Sequence, residues 1–95
     1  MNKHILFVMR NLDNPELFTQ EQKEANRKSA AAAYADTAAY ADAAADAAAN
    51  TANTAYAAYA ADVYASTPWW VNEFFERSGE DKQTYIDEVE RLRGN

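Results

Sequence analysis

Large apolar residues crowd the two ends of this chain and are nearly absent from its middle. Residues 2–12 hold Ile5, Leu6, Phe7, Val8, Met9 and Leu12 almost without interruption. Such a run fits either a buried strand or a short helix. Helix is the better reading, because Ile5, Met9 and Leu12 share a face at i, i+4, i+7 and no second strand candidate exists to pair with. Asn14-Pro15 then breaks the chain, with Asn14 suited to cap a turn and Pro15 to its first position. Leu17 and Phe18 add to the same apolar cluster.

Thr19-Gln20-Glu21-Gln22 has the form of a capping box, in which the threonine and glutamine side chains satisfy free amide groups at a helix start. Every residue from there to Ser66 is compatible with helix. Between Ala30 and Ala65 there are 21 alanines in 36 residues, and neither Gly nor Pro interrupts them. At 100° per residue, Asp36, Asp42, Asp46, Asn50, Asn53 and Thr54 gather on one half of the wheel. Tyr34, Ala38, Ala41, Ala45, Ala48, Ala52, Ala55, Tyr56, Tyr59 and Val63 take the other. That second set forms a narrow seam of small side chains along which another helix can approach. The weakest stretch is Asn50-Thr51-Ala52-Asn53-Thr54, where the four Asn and Thr residues disfavour helix by about 2 kcal/mol relative to alanine.

Thr67-Pro68 predicts the start of another helix, with Thr67 as its N-cap and Pro68 in its first turn. It carries Trp69, Trp70, Val71, Phe74 and Phe75, the densest aromatic cluster in the chain, and Ser78-Gly79 closes it. Asp81 suits the cap of a last helix bearing Tyr85, Ile86, Val89 and Leu92.

The expected fold is therefore a single all-α domain. Residues 1–18 form an N-terminal apolar cap, residues 19–66 a long alanine-rich central helix, and residues 67–95 an aromatic C-terminal helical cap. A continuous central helix would be ~70 Å long and would hold the two caps apart. Either it breaks near Asn50 to Thr54 and folds into a monomeric bundle, or it stays straight and two chains pair as an antiparallel helical dimer. The weakness of the breakers favours the dimer, so a homo-oligomer is expected.

Composition narrows the function classes. The chain has 95 residues, no cysteine and one histidine, His4. Disulfides, thiolate metal sites and cysteine nucleophiles are excluded, and a histidine-based zinc site is not expected. No apolar run is long enough to span a bilayer, so the expectation is a soluble protein of the cytoplasm. Net charge is -6, with the acids spread over the middle and the C-terminal cap. Direct binding to nucleic acid is disfavoured, and a basic partner surface would be attracted.

No sequence feature looks catalytic: phosphate loops, nucleophile elbows and paired carboxylates in apolar settings are all missing. No cofactor and no metal is expected. Asp42, Asp46 and Asn50 follow one another at i, i+4 and read mainly as a solvated helix face. Trp69 and Trp70 point about 100° apart on a helix, so that one packs and the other is left as a contact for a protein partner. Together these five residues are the expected partner-binding surface. A second reading places a small planar ligand, such as a nucleotide signal, against Tyr56 and Tyr59 with Arg27 and Lys28 near its phosphate. Lys23, Arg27 and Lys28 otherwise serve as partners for Glu21 and Glu24.

The ends of the chain carry a resemblance. Met1-Asn2-Lys3-His4-Ile5-Leu6-Phe7-Val8-Met9-Arg10 with Asn14-Pro15-Glu16-Leu17-Phe18-Thr19, and Trp70-Val71-Asn72-Glu73-Phe74-Phe75-Glu76-Arg77 with Gly79-Glu80-Asp81-Lys82, resemble small alanine-rich proteins of tailed bacteriophages. In that group similar ends flank an alanine-rich middle of variable length. The resemblance implies a phage accessory protein made in the host bacterial cytoplasm, and it supplies no active residues. The expected function is non-enzymatic: binding and inhibiting a host or antiviral-defence component. The alternatives are a nucleotide-signal sponge and a structural spacer or virion component.

Overall fold

Asn2 begins the first helix: its side-chain oxygen accepts from the backbone N–H of His4 at 3.0 Å and of Ile5 at 3.2 Å. The structure, a computed structural model, describes residues 1–39, 43–56 and 66–94. Among these residues the chain forms five helices: α1 (Lys3–Asp13), α2 (Gln20–Ala39), α3 (Ala43–Tyr56), α4 (Thr67–Ser78) and α5 (Lys82–Arg93). No strand occurs among them.

The local signals explain most boundaries. The Thr19 box is closed in both directions, with Thr19 N–H donating to Gln22 Oε1 at 2.8 Å and Gln22 N–H to Thr19 Oγ1 at 3.1 Å. Gly79 ends α4 at φ 74°, a left-handed position that suits a residue without Cβ. Asp81 caps α5 by accepting from Gln83 N–H at 3.1 Å. Thr67 departs from its expected role. It sits inside α4, fully buried, while Ser66 occupies the N-cap position without a side-chain capping bond. Pro68 does lie in the first turn.

The alanine segment does not run as one rod. α2 and α3 pack against each other, and the long dimension of the molecule is 38 Å, about half of the ~70 Å a straight helix would need. Gln20 at the start of α2 donates through Nε2 to the carbonyl of Tyr56 at the end of α3 (2.8 Å), so the two helices are antiparallel. The alternative of a break at Asn50 to Thr54 is not found, since α3 passes through these residues unbroken, as the weakness of the breakers favoured. Three of its four polar side chains bond to carbonyls of the helix itself. Thr51 Oγ1 donates to Ala47 O at 2.6 Å, Thr54 Oγ1 to Thr51 O at 3.1 Å, and Asn50 Nδ2 to Asp46 O at 2.9 Å. Back-bonding of this kind removes the competition that makes Asn and Thr poor helix formers.

α3 is the hub, packed against α1, α2 and α4. Ala47, Ala48, Thr51, Ala52, Thr54 and Ala55 are all buried. Ala48, Ala52 and Ala55 were expected on the seam. Thr54 was expected on the polar half, and it is buried because α3 has neighbours on more than one side. Small side chains let three helices approach one backbone closely.

The bulky core lies around this hub. Ile5 and Val8 of α1 join Val71, Phe74 and Phe75 of α4 and Tyr85 of α5 in one cluster, so the two apolar caps cover each other within a single chain. Phe75 and Tyr85 meet edge to face at 4.8 Å, as do Phe74 and Phe75 at 5.3 Å. Such pairs add about 0.5–1.5 kcal/mol beyond the area they bury. The buried face of α1 is His4, Ile5, Val8 and Asn11, rotated from the expected Ile5, Met9 and Leu12. Met9 and Leu12 are half-buried at its edge.

Asn2 N–H reaches the Tyr85 hydroxyl at 2.6 Å, and Asp13 pairs with Arg93 at 3.0 Å. These two ties at opposite ends of α1 fix α1 and α5 as parallel neighbours.

Candidate functional site

α4 turns Thr67, Val71, Phe74 and Phe75 into the core, which leaves Pro68 and Trp69 of its first turn at the surface. Phe74 and Phe75 are 2% and 8% exposed, whereas Trp69 is 54% exposed, the largest exposed aromatic among the described residues. Trp70 packs against the core, with the Trp69 ring edge-on to it at 4.8 Å. The split expected for adjacent tryptophans is thus present, and Trp69 is the outward one.

Arg77, two turns along α4, connects this aromatic pair to the acidic face of α3. Its guanidinium lies 5.8 Å from the centre of the Trp70 ring, a cation–π arrangement. Nε donates to Glu73 at 2.8 Å and NH1 to Asp46 at 3.4 Å. Asp46 also accepts from Asn50 Nδ2 at 3.1 Å. The structure therefore brings Trp69, Trp70, Asp46 and Asn50 onto one surface where α3 crosses α4. Arg77 and Glu73 could not be read as the connectors from sequence, since their roles depend on the antiparallel approach of α3 and α4. Asp42 lies outside the described residues.

The alternative ligand site is only partly assembled. The Arg27 guanidinium sits 4.7 Å over the Tyr56 ring, so the two meet as expected, but the cation covers the face on which a base would stack. Lys28 pairs with Glu24 at 3.3 Å on the exposed side of α2, as expected for the basic face of that helix. Tyr59 lies outside the described residues.

A polar network missed by sequence reasoning ties α1, α2 and α5 together. His4 is 5% exposed. Its Nδ1 lies 3.2 Å from the Tyr34 hydroxyl and its Nε2 3.1 Å from Ser29 Oγ. Asn2 Nδ2 donates to the same Tyr34 oxygen, and the Tyr85 hydroxyl donates to Glu80. Burial, with the nearby Lys3 charge, holds the His4 imidazole below its ordinary pKa. Burial likewise raises Tyr34, and with the Glu80 hydrogen bond pushes Tyr85 up to about 12. His4 is therefore neutral at pH 7, and this network joins three helices rather than opening to a cleft. Its only sequence signal was a lone histidine beside an N-cap.

Among the described residues no group of three or more His, Cys, Asp or Glu side chains is placed to hold a metal ion, and no helix is long and apolar enough to cross a membrane. In comparisons with protein-family models, with curated proteins and with solved structures, this chain matches none of them.

Proposed function

We propose that this chain is a non-enzymatic binding protein that docks a protein partner through the α3–α4 surface centred on Trp69. The exposed Trp69, edge-on to Trp70, whose ring in turn carries Arg77 with its Asp46 and Glu73 partners, supports this reading. Tryptophan and arginine anchors surrounded by polar groups are the usual composition of an interface hot spot. The charge of -6 and the carboxylates on this face favour a partner with a basic rim around an apolar pocket. The resemblance of the chain's ends to small phage proteins makes a host or antiviral-defence component the expected partner and inhibition the expected effect.

The protein acts as a single chain in this reading. The dimer was inferred to cover two separated apolar caps, and the caps here cover each other. Light scattering at working concentration is expected to give the 10.6 kDa mass of one chain.

The test is affinity capture from defence-carrying bacterial hosts with the tagged chain and with Trp69→Ala in parallel. A partner retained by the natural sequence, lost with Trp69→Ala and inhibited by the purified protein is the expected result. Equal capture by both proteins would overturn the assignment of this surface.

A further inference from the structure

A groove of about 470 Å³ runs between α1, α4 and α5, on a side of the molecule that the polar network does not use. Its walls are Met9, Leu12, Val71, Ile86 and Val89. This is the size and apolar character of a small-molecule site. The groove follows α5 from Lys82 at its first turn to Arg93 at its last, about 16 Å along the helix.

The charges at its two ends differ. Arg93 is neutralised twice, by Asp13 at 3.0 Å and by Glu90 at 3.9 Å. Lys82 donates to the neutral Oδ1 of Asn72 at 2.7 Å, and among the described residues no carboxylate forms an ion pair with it. At the Arg93 end two carboxylates, Asp13 and Glu90, face one guanidinium, whereas the Lys82 end holds a cation that no carboxylate pairs with among the described residues. Because Asn72 Oδ1 accepts from Lys82, the adjoining Nδ2 is left as a second donor beside the ammonium.

We propose that this groove binds a medium-chain alkyl carboxylate, with the carboxylate held by Lys82 Nζ and Asn72 Nδ2 and the chain lying between α1 and α5 against Leu12, Ile86 and Val89. An anionic head meets the one unneutralised cation, and an apolar tail removes the walls from water. A purely apolar ligand leaves Lys82 unanswered, and an alkyl cation seated at this end is repelled by it. This site is separate from the Trp69 surface, so either assignment can fail without the other.

Decanoate, decan-1-ol and decylamine below their micellar concentrations are the probes, followed by amide and methyl NMR shifts of the full chain. Decanoate is expected to shift Met9, Leu12, Val71, Ile86 and Val89 and to bind at least about tenfold more tightly than decanol, the order of a charge-assisted hydrogen bond. Lys82→Gln is expected to bring decanoate down to the decanol level while leaving decanol unchanged, and Lys82→Arg to restore the preference. Ile86→Trp, which fills the groove, is expected to abolish binding of both; if that variant does not fold, the lysine pair still decides. Equal binding of decanoate and decanol, preference for decylamine, or no shift in the groove residues up to about 1 mM would overturn the proposal.

Discussion

The backbone N–H of Asn2 donates to the side-chain hydroxyl of Tyr85, 83 residues away, at 2.6 Å. One phenol thus joins the start of the first helix to the first turns of the last, and it also donates to Glu80.

Ionising that phenol is therefore opposed by the fold. Tyr85 is pushed up to about 12, against about 10 in an unfolded chain. A raised pKa contributes stability that is present below pH 10 and is lost as pH rises toward 12, by up to about 3 kcal/mol. Urea midpoints measured from pH 8 to 12 are expected to fall steeply over the upper half of that range. Tyr85→Phe is expected to cost about 1–3 kcal/mol at pH 7 and to flatten the alkaline fall. The raised Tyr34 leaves a residual slope.

His4 gives the opposite sign. Its pKa is lowered by burial and by Lys3, so the unfolded chain binds the proton more readily than the folded one. Stability is full above about pH 6.5 and declines as pH falls below it. His4→Gln is expected to weaken the fold at pH 7.5 and to remove much of the loss on going to pH 5, as read from thermal midpoints at both values.

The hub helix leaves no room for larger side chains. Ala48 is fully buried, whereas Ala31 on α2 is exposed. Ala48→Leu is expected to destabilise by about 1–3 kcal/mol through overpacking. Ala31→Leu is expected to stay within about 0.5 kcal/mol of the natural sequence. Chemical denaturation of the two variants side by side checks this, and equal effects would mean that α3 is not packed on that face.

The capping box at Thr19 and Gln22 is reciprocal, so its two residues act as a unit. Thr19→Ala is expected to cost about 1 kcal/mol. Adding Gln22→Ala is expected to cost less than it does alone, which a double-mutant cycle measures.

The signals that could be read from sequence were those carried by one or two neighbouring residues. Thr19 with Gln22, Gly79 and Asp81 marked helix ends by local hydrogen bonding or backbone freedom, and those boundaries hold. The fold-back of the alanine segment was illegible, because neither Gly nor Pro occurs between Ala30 and Ala65. The apparent weak point at Asn50 to Thr54 was misleading, because back-bonding to Ala47, Thr51 and Asp46 offsets it. That one tryptophan packs and the other faces outward followed from helical geometry, whereas which of the two does so did not. The link from Trp70 through Arg77 to Asp46 could not, since it spans 31 residues and depends on how α3 lies against α4.

The parallel pairing of α1 with α5 sets an order of events. The ties between them close over 83 and 80 residues, although each helix can form within about a microsecond. At 5–20 residues per second, α1 is synthesised ~4–16 s before its neighbour. During that interval Ile5 and Val8 have no α5 to cover them, and the nascent chain presents an amphipathic helix to chaperones and membranes alike. The packing around the first helix is completed last, by the C-terminal helix.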